Sequence, residues 1–234
     1  MSIRITLLLL LVTVLSVYAW KNWFVSLCGA ILMLAVVTHP DFPVNVGGIQ
    51  GANPWNFLIL SIVLAWASHR GEDGHVWDLP LVAGRLLLAC LVVVIVGVVR
   101  LVLSDYPSGL TVGMIISENF INTVKWVIPS LLLFDACRTR QRATIALGVI
   151  LCLYFLLALL VIRYMPFSSI NDGATLSARA SKITMDNMGY NRVTLSMMLA
   201  GASWAVLAAM PILKQNLHRF ILLGVAGALA MRRA

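Results

Sequence analysis

Continuous runs of apolar residues, separated by shorter polar stretches, cover most of this chain. The runs do not alternate with polar residues, which favours helices over half-buried strands. They predict helices near residues 5–20, 23–38, 55–68, 80–103, 120–137, 144–163, 193–213 and 220–231. Because a helix needs roughly 20 apolar residues to cross a bilayer, the pattern predicts an all-α, polytopic transmembrane bundle of about 7–8 spans.

The composition supports this prediction. Of 234 residues, 61% are hydrophobic and 11% are charged, whereas a soluble domain carries about 25% charged residues. A soluble chain of this size cannot hide so much apolar surface. Residues 1–234 are therefore expected to form a single polytopic membrane domain in contact with the lipid bilayer. The net charge of +8 does not indicate nucleic acid, because the basic residues lie in short loops and no nucleic-acid-binding motif is present.

The orientation in the membrane follows from the short basic loops. Arg138, Arg140 and Arg142 lie within five residues between two runs, and such loops face the cytoplasm. Alternation of the spans then puts the loop 164–192 outside, where Lys and Arg are usually scarce. A count of eight spans puts the amino terminus outside as well, whereas one span fewer or more before residue 100 puts it inside. The loop 164–192 is nevertheless basic, and an anionic substrate such as a lipid-linked diphosphate would explain its cations.

Four polar residues of this loop are candidates for binding that substrate. Arg179 and Arg192 carry guanidinium groups that match phosphate oxygens, and Lys182 adds a point charge. The alternative is a solvated loop whose cations pair with nearby aspartates. Asn191 could hydrogen-bond a sugar or phosphate, or it could cap the following helix.

One further charge interrupts an apolar run. Lys125 lies in the predicted helix 120–137, and a charge inside a span costs about 2.5–3.5 kcal/mol on insertion scales. A functional role is one interpretation. The other is that the side chain extends to the polar end of the span at Glu118. Asp135 stands three residues before Arg138, the spacing of a helical ion pair.

The sequence indicates neither a metal site nor a cofactor. Its four histidines are scattered without a metal-binding spacing, and its four cysteines form no CxxC pair. No Walker, GxSxG or kinase motif is present, which argues against an ATP-driven pump. The last run, 220–231, would cover about 18 Å of roughly 30 Å of hydrocarbon. This predicts either further spans beyond Ala234 or a short terminal helix that lies on the membrane.

The order of these pieces resembles one family of bacterial envelope enzymes. A basic linker and span (RTRQRATIALGVILCLYFLLALLVI) precede an Asn-bearing segment and span (MGYNRVTLSMMLAGASWAVLAAMPIL). A short basic turn (KQNLHR) and another span (ILLGVAGALAMRR) follow, and the earlier segment GIQGANPWNFLILSIVLAWASHR resembles exopolysaccharide-type members. Together they are similar to the amino-terminal half of the O-antigen ligase and polymerase family.

The resemblance implies a function in surface-polysaccharide assembly at the bacterial inner membrane. Members transfer or polymerise a glycan from an undecaprenyl diphosphate carrier at the periplasmic face, without a metal or cofactor. The acceptor is lipid A core, as in lipopolysaccharide, or another lipid-linked glycan, and other polysaccharide-assembly proteins are implied partners. The resemblance also implies that key site residues of the family, in its carboxyl-terminal half, would lie beyond Ala234. A transporter or flippase component for an anionic solute or lipid, and a non-catalytic membrane scaffold, are the alternatives.

Overall fold

A computed structural model describes residues 3–40, 42–43, 53–73, 81–104, 112–116, 120, 122–164 and 182–209. All regular structure in these ranges is helical, and they contain no strand. The all-α prediction is therefore confirmed for the described part of the chain. The predicted helix 220–231 lies outside the described residues.

The helices are close to those predicted from the apolar runs. They are α1 (Ile3–Ala19), α2 (Trp23–Val37), α3 (Pro54–Asp73), α4 (Leu81–Leu103), α5 (Val112–Ile115), α6 (Asn122–Ala136), α7 (Arg140–Tyr164), α8 (182–188) and α9 (Arg192–Ala209). The short helix α8 was not predicted, because residues 164–192 have no continuous apolar run. Most of that predicted loop, residues 165–181, lies outside the description.

Two helices extend further into polar sequence than their apolar runs suggest. Helix α3 continues five residues past the predicted end at Ser68. There the Ser68 hydroxyl and the His69 ring lie 2.9 and 2.7 Å from the carbonyl oxygen of Ala65, one turn earlier. Helix α7 begins at Arg140, because Thr139 caps it: the Thr139 Oγ1 accepts the backbone N–H of Arg142 at 3.3 Å.

Contacts divide the chain into two compact units. The first unit combines Met1–Ile62 with Ala136–Ala234, and the second is Val63–Asp135. In the second unit, the Trp66 indole N–H donates to the Asp135 carboxylate at 2.7 Å. The Arg70 guanidinium lies over the same indole, 5.0 Å from its centroid. Asp135, for which the sequence indicated an ion pair with Arg138, therefore also accepts a hydrogen bond from the Trp66 indole.

The first unit is a bundle in which α1 packs on α2, α2 on α7, and α7 on α9. Helices α1 and α2 form an antiparallel hairpin around the turn at residues 20–22. The Ser26 hydroxyl donates to the carbonyl oxygen of Leu15 at 2.8 Å across this hairpin. Gly29 permits the close approach, because a Cβ there would lie 2.8 Å from a Leu15 methyl carbon.

The remaining helices of this unit run in directions that two contacts define. The Arg142 guanidinium lies 5.6 Å from the centroid of the Phe24 ring, so α2 and α7 begin at the same end and run parallel. Gly201 of α9 faces Tyr154 of α7, where a Cβ would lie 3.0 Å from the hydroxyl oxygen. Residues 188–190, just before α9, are bonded to Thr38 and Leu34 at the end of α2, so α9 starts at the end where α2 and α7 stop and runs antiparallel to α7.

The bundle therefore has two distinct ends. We call the end with the 20–22 turn and the first turns of α2 and α7 the basic end, because Lys21, Arg140 and Arg142 are exposed there. We call the opposite end, with Thr38 and residues 182–192, the anchored end.

Apolar side chains fill the interior and also cover much of the outside. The core of the first unit includes Leu27, Ile31, Trp55, Leu58, Ile62, Leu153, Leu157, Leu195 and Val206. Among the residues that the structure describes, two helical stretches are long and apolar enough to cross a membrane, Gly84–Leu103 and Arg140–Tyr164. None of the apolar window of Gly84–Leu103 is buried within the protein.

Candidate functional site

The candidate site is the segment 182–192, which leads from α8 into α9. Thr184 and Met188 are buried, and their four-residue spacing places them on one face of α8. Lys182 and Asp186 are exposed. Helix α8 thus lays one face on the protein and presents its charged residues to the outside.

Hydrogen bonds attach this segment to the end of α2, about 150 residues earlier in the chain. The Thr38 hydroxyl donates to the carbonyl oxygen of Met188 at 3.2 Å. The Tyr190 hydroxyl donates to the carbonyl oxygen of Leu34, and only 6% of the Tyr190 side chain is exposed. The Leu34 carbonyl lies in the last turn of α2, so this hydrogen bond joins Tyr190 to the end of that helix.

Gly189 makes this attachment sterically possible. Its φ of +69° lies in the left-handed region, and it is the one described glycine with a positive φ. A Cβ at this position would overlap the carbonyl oxygen of Thr38 and lie 3.2 Å from the backbone nitrogen of His39. Glycine is needed here both for the backbone conformation and for the close approach.

Burial changes the acidity of the tyrosine. It raises the pKa of Tyr190 above the ordinary value, because the charged phenolate would lose its hydration, while a hydrogen bond with Thr38 acts in the opposite direction. The Tyr190 hydroxyl is therefore protonated at neutral pH and remains a donor to Leu34.

Asn191 begins α9. Its side-chain Oδ1 accepts the backbone N–H of Val193 at 3.0 Å, and its carbonyl accepts the N–H of Leu195 at 2.9 Å. Of the two interpretations of Asn191, helix capping is confirmed. Asn191 is also exposed, and a contact with sugar or phosphate stays a prediction.

The structure describes the other predicted site residues only in part. Lys182 is exposed on α8, and Arg192 is the first residue of α9, with its side chain outside the description. Arg179 lies outside the described residues. Lys125 lies within α6, and its side chain is not described. Lys182 and Asn191 are thus the two candidates that the structure brings to the anchored end with described side chains.

Sequence reasoning missed the residues that hold this segment in place. The dipeptide Gly189-Tyr190 before a helix start was a local signal for a turn, since glycine is the usual residue at a left-handed position. No local signal could identify Thr38 or Leu34 as partners, because they are distant in the chain. Within the described residues, no group of three His, Cys, Asp or Glu side chains could hold a metal ion.

Comparisons with known proteins add no relative. A scan against protein-family models, a search of curated proteins and a search of solved structures each found no match. The resemblance to the O-antigen ligase and polymerase family stays a prediction from the sequence.

Proposed function

We propose that this chain is a multi-pass protein of the bacterial inner membrane, with about seven or eight spans. Its exposed apolar side chains support this proposal. Soluble monomers rarely expose contiguous apolar patches larger than a few hundred Å², whereas Leu81, Val82, Val93 and Leu103 of α4 are each at least 67% exposed. A hydrocarbon environment removes the cost of this exposure.

Within the membrane, the proposed function is surface-polysaccharide assembly. The chain takes part in transferring or polymerising an undecaprenyl-diphosphate-linked glycan at the periplasmic face. The observation that carries the proposal is the attachment of residues 188–190 to the end of α2. It fixes the backbone of residues 188–190 between Lys182 and Arg192, the two candidate cations of the described segment, at one end of the bundle.

The chemistry of the segment suits a diphosphate. Transfer of the glycan leaves negative charge on the carrier diphosphate, and fixed cations near the leaving group stabilise that charge. Arg192 begins α9 beside Asn191, where a helix N-terminus adds further favourable potential for an anion. Lys182 and Arg179 would supply the remaining positive charge. In this proposal, the segment binds the carrier and the residues that complete catalysis lie elsewhere.

The short, strongly basic loop at residues 138–142 supports the periplasmic location of the anchored end. Lys21 joins the arginines that flank the start of α7 at the basic end. The positive-inside rule assigns such an end to the cytoplasm. The anchored end then faces the periplasm, where lipid-linked glycans are joined.

Binding of the carrier tests the proposed site directly. The purified full chain in lipid nanodiscs should bind undecaprenyl diphosphate, measured by native mass spectrometry. Arg192→Gln should weaken binding about tenfold or more, since a hydrogen bond to a charged group contributes about 1.5–3 kcal/mol. Arg100→Gln is the matched control, because Arg100 is an exposed arginine in the last turn of α4. Equal affinity in both variants would refute the diphosphate role.

Polymer analysis tests the function itself. In the source bacterium, Arg192→Gln should reduce the glycan polymerised on its carrier or joined to lipid A core, at unchanged protein level. If binding is lost but the glycan profile is normal, the chain binds the carrier without acting in polysaccharide assembly. That result would favour the scaffold or flippase alternative.

A further inference from the structure

The basic end of the first unit concentrates side-chain cations. Helices α2 and α7 both begin there, because Arg142 near the start of α7 lies on the ring of Phe24 at the start of α2. Lys21, Arg140 and Arg142 are exposed at the same end. The C-terminus of α1 lies beside the N-terminus of α2, so the helix dipoles offset one another there and the side chains supply the positive charge.

This arrangement opposes the usual electrostatics of helices. Helix starts favour acidic residues and helix ends favour basic ones, but neither α2 nor α7 has an acidic residue in its first turn. Residues 1–40 and 136–171 contain no Asp or Glu at all. The nearest carboxylate in the chain is Asp135, directly before the second of these segments, and it accepts the Trp66 indole N–H. An anionic ligand bound at this end would neutralise the excess positive charge.

One of the cations is held in a defined position. The backbone N–H of Arg142 is bonded to the Thr139 hydroxyl, and its guanidinium rests on the Phe24 ring, which is 4% exposed. The stacked face leaves the N–H edge of the guanidinium available to phosphate oxygens. Lys21 and Arg140 flank this position from the preceding turn and from the first residue of α7.

Apolar surface borders the same end. Apolar side chains in and beside the 20–22 turn are exposed: 69% of Val17, 53% of Trp20 and 43% of Val25. Tryptophan is enriched at the level of lipid headgroups. A ligand that fits both features has a phosphate beside apolar chains. We propose that the basic end binds the headgroup phosphate of an anionic phospholipid, with its acyl chains along α1 and α2. This site lies at the end opposite the proposed glycan site and does not depend on it.

Thermal unfolding of the full chain in a neutral detergent tests this site. Added phosphatidylglycerol should raise the melting temperature clearly more than an equal amount of phosphatidylcholine, because a ligand that binds only the folded state stabilises it. The combined variant Lys21→Gln, Arg140→Gln, Arg142→Gln should lose more than half of that difference. Equal effects of the two lipids on the unmodified chain would overturn the proposal.

Arg163→Gln is the matched control. Arg163 is exposed in the last turn of the same helix α7 and stacks on Tyr164 at 5.6 Å, the separation found for Arg142 and Phe24. Its loss should leave the response to phosphatidylglycerol intact. A loss equal to that of the triple variant would mean that net charge, and not this site, causes the response, and would overturn the proposal.

Three further measurements distinguish lipid binding from a folding defect and from the binding of other anions. The variant Arg140→Lys, Arg142→Lys keeps the charge and should keep most of the response; if it behaves like the triple variant, the charge-based site is refuted. Native mass spectrometry should also show fewer retained phosphatidylglycerol molecules on the triple variant than on the Arg163→Gln chain. Inorganic phosphate should stabilise the chain much less than the lipid. Equal stabilisation by inorganic phosphate would assign the site to a soluble anion instead.

Discussion

At the residue scale, three neighbouring residues determine how the candidate site is held. Gly189 allows the backbone to touch the end of α2, Tyr190 donates to the Leu34 carbonyl, and Asn191 caps α9. Each acts locally on the backbone, but together they connect one helix end to one helix start. The polar surface proposed to bind the carrier therefore depends on residues that need not touch it.

We expect Gly189→Ala to destabilise the protein strongly. A left-handed backbone costs an L-residue about 1–2 kcal/mol, and displacement of packed atoms adds about 1–3 kcal/mol. Gly148→Ala is the control, because a Cβ there meets nothing within 4 Å and alanine favours a helix by about 0.5–1 kcal/mol. Unfolding in detergent should show opposite shifts for the two variants. Similar shifts would contradict the role assigned to Gly189.

We expect Tyr190→Phe to cost about 0.5–1.5 kcal/mol at neutral pH, because the bond to Leu34 is lost. Burial raises the pKa of Tyr190 in the folded state, so the folded protein holds its proton more tightly than the unfolded chain. The contribution of the hydroxyl is therefore fully present below about pH 10 and is lost as pH rises through the folded pKa.

The measurement is the stability difference between the unmodified chain and Tyr190→Phe as a function of pH. It should be constant near neutrality and shrink above about pH 10. Tyr18→Phe is the control, since Tyr18 is 38% exposed, and its difference should stay small throughout. A Tyr190→Phe difference that does not change in alkaline solution would disprove the assigned burial effect.

At the element scale, α7 is the central helix of the first unit, since it packs on both α2 and α9. Close packing with α9 requires a small residue, and Gly201 supplies it opposite Tyr154. Small residues that let helices approach are typical of membrane bundles. The sequence predicted both helices but not their contact, because apolar runs of similar composition do not indicate which helices pack together.

We expect Gly201→Val to separate α7 from α9 and to cost about 1–3 kcal/mol through overpacking against Tyr154. Gly148→Val lies on the same helix as Tyr154 but meets no neighbour, so it should have little effect. Tyr154→Ala added to Gly201→Val should recover part of the loss, because it removes the obstacle. A double variant less stable than the sum of its single variants would contradict this contact. Unfolding in detergent measures all four changes.

At the scale of the whole molecule, the first unit has a direction. The 20–22 turn and the start of α7 share the basic end, while Thr38 and residues 182–192 share the anchored end. This is the arrangement that strict alternation of spans requires for α1, α2, α7 and α9. The side of the membrane on which the amino terminus lies stays a prediction.

Cysteine accessibility in intact cells should reveal this direction. In a chain without native cysteines, single cysteines at Lys21 and Thr139 should react with a membrane-impermeant reagent only after the membrane is opened. A cysteine at Lys182 should react in intact cells. If Lys21→Cys and Thr139→Cys are labelled from opposite faces of the membrane, the two positions do not share one end of the bundle. If Lys182→Cys is labelled only after the membrane is opened, the candidate site does not face the periplasm.

The sequence by itself determined the helical class, the approximate helix bounds and the excess of cations in residues 164–192. These follow from hydropathy and charge along the chain, which are local properties. The predictions were wrong where a helix includes polar residues, because the apolar runs alone set the predicted bounds. Helix α3 continues through His69 and Arg70, and α8 forms within a polar segment.

Only the tertiary structure decided which helix ends meet. It joined Thr38 to Met188 and Leu34 to Tyr190, and it brought Phe24 to Arg142 near the start of α7. Such pairings join residues more than 100 positions apart, and no periodicity encodes them. They depend on how side chains and backbone pack across the whole bundle. The sequence therefore indicated only the charge of the loop 164–192, and the structure showed that its residues 188–190 form a turn bonded to the end of α2.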